Sequence, residues 1–148
     1  MKKLGVILLV LFGCVGLKAQ QRHLLENENA LAEIDLRQGA LVGLKNKETG
    51  WVIIGNGEKD VCSFEASVRL ADGSFHVIDA STQEQPKVMA TENTVTLVWN
   101  SFDVAGKKLE ITFTGTIEMT ADGLVYAGNI ENNSECIVEQ LSWPLLRE

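Results

Sequence analysis

The chain has 148 residues and a formal net charge of −7, with twenty acidic residues against thirteen basic ones. That length suits one small domain and cannot hold both a sandwich and a catalytic barrel. The acidic balance repels phosphate backbones and no Lys/Arg cluster offsets it, so nucleic acid is excluded as a partner.

Met1-Lys2-Lys3 opens the chain, followed by an uncharged apolar run from Leu4 to Leu17 and then Lys18-Ala19-Gln20. This is the anatomy of a secretory signal peptide, with residues 1–19 removed and Gln20 as the new N-terminus. The run is too short for a transmembrane helix, which needs about 20 apolar residues. Leu11-Phe12-Gly13-Cys14 also has the outline of a lipobox, with Phe12 a bulky departure from it. In that alternative Cys14 is lipidated and anchors the chain to a membrane. Both readings export the chain from a bacterial cytoplasm to the periplasm, the outer surface or the medium. Losing residues 1–19 removes three lysines and no acid, which takes the net charge to −10.

Residues 20–148 read as one β-sandwich domain. Ala30, Ala32, Ile34 and Leu36 alternate with Leu31, Glu33 and Asp35. Phe64, Ala66, Val68 and Leu70 alternate with Glu65, Ser67 and Arg69, and Val95, Leu97 and Trp99 with Thr94, Thr96 and Val98. The cleanest run is Leu109 to Glu118, which places Leu109, Ile111, Phe113 and Ile117 on one face and Glu110, Thr112, Thr114, Thr116 and Glu118 on the other. A helix would scatter both sets around its circumference. Asp72-Gly73 and Asp122-Gly123 predict hairpin tips, because both positions tolerate positive φ. Gln38-Gly39, Thr49-Gly50, Asn56-Gly57 and Ala105-Gly106 predict further turns. Pro86 and Pro144 fall at strand boundaries. No sustained helical period follows the leader. The expected fold is all-β, an antiparallel sandwich.

Few residues carry chemistry. Gly55-Asn56-Gly57-Glu58-Lys59-Asp60 begins like a dinucleotide fingerprint, but Asp60 replaces the third glycine and a strand pattern follows where a helix is needed. It reads as a loop. His23 and His76 have no partner at metal or triad spacing, so neither a metal nor another cofactor is expected. Cys62 and Cys136 are two buried thiols, or a pair closing a long loop. Asn132-Asn133-Ser134 matches a glycosylation sequon and also suits a turn. Trp99 belongs to the core and Trp143 packs a joint before Pro144. Trp51, just past the Thr49-Gly50 turn, can offer an aromatic face to a sugar ring, and it is the one candidate carbohydrate-binding residue. No residue is assigned a catalytic role.

The stretch Leu25 to Ile53, with its "Ile-Asp" strand and "Leu-Lys-Asn-Lys-Glu-Thr-Gly" return, resembles the opening of N-terminal β-supersandwich domains in large secreted bacterial glycoside hydrolases. The close, with "Asn-Asn-Ser" leading into a strand that ends in Trp-Pro-Leu, is similar to the same family. The resemblance implies the galactose-mutarotase-like fold and a TIM-barrel catalytic domain downstream. It implies a non-catalytic module with a possible glycan ligand, and a chain that stops at Glu148 before its sandwich is complete. A free-standing surface or periplasmic carbohydrate-binding protein is the alternative. Sugar epimerases of this fold use two histidines and a carboxylate base, and the contexts of His23 and His76 match neither histidine motif. The resemblance therefore transfers no catalytic residue.

Overall fold

The structure is a computed structural model that describes residues 22–54 and 62–146. The expected leader with Cys14, the expected domain start at Gln20 and the Gly55–Asp60 stretch read as a loop lie outside the described residues. Among the described residues, thirteen strands are antiparallel wherever they pair. The first sheet runs β1 (Arg22–Glu26), β2 (Ala30–Asp35), β3 (Ala40–Asn46) and β4 (Val52–Ile54) in chain order. A second sheet holds β5 (Glu65–Arg69) and β6 (Phe75–Asp79), with β13 (Ile137–Ser142) on the free side of β5. The third has the order β12-β11-β8-β7, built from β7 (Lys87–Ala90), β8 (Thr94–Trp99), β11 (Ile111–Thr120) and β12 (Gly123–Asn132). A small hairpin joins β9 (Phe102–Val104) to β10 (Lys107–Leu109). Asp79 caps the one helical turn described, a 3₁₀ turn over Ala80–Thr82.

The alternation in the sequence becomes the core. Leu25, Ala32 and Ile34 from the first sheet meet Phe64, Ala66 and Val68 beside or on β5 in one buried cluster. Val95, Leu97, Trp99, Ile111, Phe113 and Ile117 from the third sheet close it. Phe64 is its hub: its ring lies 5.1 Å from Trp99, 5.3 Å from Phe102 and 5.4 Å from Phe113, edge-on to the first and last and stacked on Phe102. Such contacts add about 0.5–1.5 kcal/mol each beyond area burial.

The predicted strand from Leu109 to Glu118 is broken at Glu110. Leu109 ends β10 opposite Phe102, and the Glu110 carbonyl accepts from Asn133 N at 2.8 Å. Ile111, Phe113 and Ile117 are fully buried, while Leu109 is only partly covered. Both Asp-Gly pairs lie at hairpin tips, but neither supplies the two central turn residues. Between β5 and β6 the loop is Ala71-Asp72-Gly73, closed by Gly73 N donating to the Leu70 carbonyl, with Gly73 at φ 85°. Between β11 and β12 it is Ala121-Asp122, and Gly123 already faces Thr120 in the ladder. Ala105-Gly106 does form a two-residue turn with both φ values positive, 52° and 76°, as tight hairpins require. Pro86 immediately precedes β7, and Pro144 follows the exit from β13.

β13 feeds the closing segment back into the core. Val138 and Leu141 pack on the cluster, Leu145 N donates to the Ser63 carbonyl at 2.8 Å, and Ile137 alone on this strand leaves a large apolar side chain strongly exposed. Trp143 crosses to the third sheet. Its indole lies over the cross-strand glycines Gly115 and Gly128, where a Cβ on Gly115 would sit 2.7 Å from the ring. Phe113 and Tyr126 meet it edge-on at 5.5 and 6.1 Å.

Candidate functional site

Trp51 stands where β3 returns to β4. The turn before it is tied by Asn46: its side-chain oxygen accepts from Thr49 N at 2.8 Å and Thr49 Oγ1 at 3.0 Å, while its carbonyl accepts from Gly50 N. Gly50 has φ 72°, a conformation that favours glycine. Asn46 N then donates to the Trp51 carbonyl at 2.8 Å, and Trp51 N donates to Thr49 Oγ1. Lys47 pins the other side, with its N on Asn29 O and its Nζ on Asn27 O, both at 2.8 Å. Hydrogen bonds thus hold the backbone of the turn, whereas Trp51 is 68% exposed. A rigid backbone carrying a solvent-facing ring is what stacking on a sugar needs.

The next residue, Val52, lines a shallow groove of about 190 Å³ on the outer face of the first sheet, with Leu24, Leu31, Glu33, Gly43 and Lys45. Its floor is aliphatic. Its polar groups are the Lys45 ammonium and the Glu33 carboxylate, which accepts from Arg22 Nη1 at 2.8 Å. A second concavity of about 290 Å³ lies between Leu70, Asp72, Lys107, Leu109, Glu135 and Cys136. There Asp72 accepts from the hydroxyl and backbone N–H of Ser74, and these bonds hold its carboxyl below the usual range.

The remaining sequence candidates do not converge. His23 on β1 meets the Thr91 carbonyl at 2.9 Å and His76 on β6 meets Ser74 Oγ at 3.1 Å, so each is taken up locally. Cys62 and Cys136 are buried, unbridged thiols: Cys62 Sγ donates to Phe64 O, and Cys136 Sγ lies 2.9 Å from Ser134 Oγ. Among the described residues no group of three or more His, Cys, Asp or Glu could hold a metal ion. Asn132 turns the chain by accepting from the N–H and hydroxyl of Ser134.

Asp35 is the most buried carboxylate with a shifted acidity; burial opposes its charge, but the hydrogen bonds and charge of Arg37 prevail and lower its pKa below 3.8. A glycosidase acid requires the opposite shift. Sequence reasoning missed the groove, because its lining comes from four strands and only the register β1-β2-β3-β4 brings them together.

No family model matches the chain, and no curated protein matches it in sequence. Solved structures do resemble it. A galactose mutarotase-like protein from Lactobacillus casei superposes with a TM-score of 0.61 at 17% identity, over 76% of this chain and 45% of that one. A 4-alpha-glucanotransferase from Thermococcus litoralis superposes with a TM-score of 0.56 at 13% identity, over 76% of this chain and 22% of that one. The chain spans less than half the length of either. The likeness is one of fold: this is an all-β, antiparallel sandwich of galactose mutarotase-like type.

Proposed function

We propose that this chain is a non-catalytic, exported module that contacts carbohydrate through Trp51, and that it forms the N-terminal part of a polysaccharide-degrading glycoside hydrolase. The observation that carries the reading is Trp51 itself, a large, exposed aromatic residue carried on a hydrogen-bonded turn. Burying it against the C–H face of a sugar would recover hydrophobic stabilisation at little loss of backbone entropy. Support for the carbohydrate class comes from the two neighbours, one named for galactose mutarotase and the other a glucanotransferase.

Affinity electrophoresis through gels containing plant or host polysaccharides tests the contact. The exported chain should be retarded in at least one gel, and Trp51→Ala should remove the retardation without changing the far-ultraviolet circular dichroism. Equal mobility of both proteins in every gel overturns the reading. Export has its own check: the intact mass should begin at Gln20. A diacylglyceryl adduct on Cys14 would favour a lipoprotein over a cut after Ala19, and a retained Met1 would refute export by either route. A barrel encoded directly downstream of Glu148 would support the module within a hydrolase.

A further inference from the structure

The concavity of about 290 Å³ has an aliphatic floor and three charged residues around it, each from a different part of the chain. Leu70 and Leu109 form the floor, and both also pack on the core cluster. Asp72 comes from the loop between β5 and β6, Lys107 from the start of β10 and Glu135 from the loop between β12 and β13. Each of these segments is tied down locally. Gly73 N donates to the Leu70 carbonyl, Gly106 N to Asp103 Oδ1, and Asn133 N to the Glu110 carbonyl. Both Ser74 donors bind Asp72 Oδ1, which leaves Oδ2 available to accept. Among the described residues, the Lys107 ammonium and the Glu135 carboxylate make no hydrogen bond or ion pair.

We propose that this concavity binds one neutral sugar ring. An anion would face two carboxylates, and a cation would face the ammonium. A neutral ring dense in hydroxyls suits all three charges, because a hydroxyl both donates and accepts. Its hydroxyls would donate to Asp72 and Glu135 and accept from Lys107, and hydrogen bonds to charged groups are the stronger kind. Its C–H face would lie on Leu70 and Leu109, removing apolar surface from water on both sides. The volume falls just short of the ~300–1,000 Å³ usual for small-molecule sites, which suits a single ring. Since hydrogen bonds already hold the surrounding segments, binding has little to order beyond the Lys107 and Glu135 side chains. The Trp51 turn is on another sheet, so this site does not rest on it.

Methyl-resolved NMR of the full chain, titrated with glucose, galactose, mannose and N-acetylglucosamine, tests the proposal. At least one of these sugars should shift the Leu70 and Leu109 methyl signals saturably at millimolar concentrations. Lys107→Met and Glu135→Gln remove charges that make no internal bonds, so both variants should keep the parent's spectrum elsewhere. Each should weaken binding of that sugar on the order of fivefold or more. Glycine and acetate, a zwitterion and an anion, should leave both methyls unmoved. The readout belongs to this concavity alone, so it is independent of whether Trp51 contacts polysaccharide. Methyls that no sugar moves, glycine or acetate binding in place of the sugars, or either folded variant binding as the parent does would each overturn the proposal.

Discussion

Tyr126 shows how a single side chain records its surroundings. It is the only tyrosine, so phenolate absorbance reports this residue alone. Burial pushes its pKa up to about 12 from 10.0, and its hydroxyl is buried without a hydrogen-bond partner among the described residues. The folded state favours the neutral phenol, so its contribution to stability is complete below pH 10.0 and declines as pH rises toward about 12. Absorbance titration should give a midpoint near 12 in buffer and one near 10 in concentrated urea. A midpoint near 10 in the folded protein would mean that the ring is solvated. Trp51 is the opposite case at this scale. Its position after a Thr-Gly turn was readable in the sequence, but its exposure was not, because Trp99 and Trp143 are equally apolar and lie against the core.

Among the elements, β11 holds the sandwich together. It pairs with β8 on one side and β12 on the other, and buries Ile111, Phe113 and Ile117 completely. Phe113 touches Phe64, Trp99 and Trp143, so its loss empties the centre of the aromatic cluster. Phe113→Ala should cost roughly 3–5 kcal/mol in urea unfolding, a large share of the 5–15 kcal/mol typical of a domain. Gly115→Ala should cost about 1–3 kcal/mol, because its methyl group must displace the Trp143 indole. An unchanged midpoint for either variant would contradict the packing. The alternation of this strand was plain in the sequence. The break at Glu110 was not, since polar-apolar alternation continues through it. What ends β10 there is a change of partner, from β9 to β8 and β12.

For the whole molecule, the question is whether three sheets create a site that none holds alone. Glycoside hydrolysis usually needs two carboxyl groups about 5–9.5 Å apart, one with a raised pKa. Among the described residues, hydrogen bonds from Arg37 and Ser74 hold the Asp35 and Asp72 carboxyls below the usual range, and Glu110, Glu118, Glu131, Glu135 and Glu139 are exposed. The purified chain should therefore release no product from a panel of aryl glycosides and polysaccharides. Turnover that vanishes when one of its own Asp or Glu residues is replaced would refute this.

The sequence by itself determined the all-β class and, in four alternating runs, most of the inward residues. Period-two alternation and turn chemistry are local, and each run states which side chains must leave water together. Hairpin positions were likewise legible, whereas their loop lengths depended on which residues finally faced one another across the ladder. Only the tertiary structure decided which strands pair, which glycines Trp143 covers, and how Leu24, Gly43 and Val52 come to share a groove beside Trp51. Those outcomes depend on pairing between strands distant in the chain, as when β13 docks on β5. The free energy of such pairing comes from packing one sheet on another, which no single stretch of residues encodes.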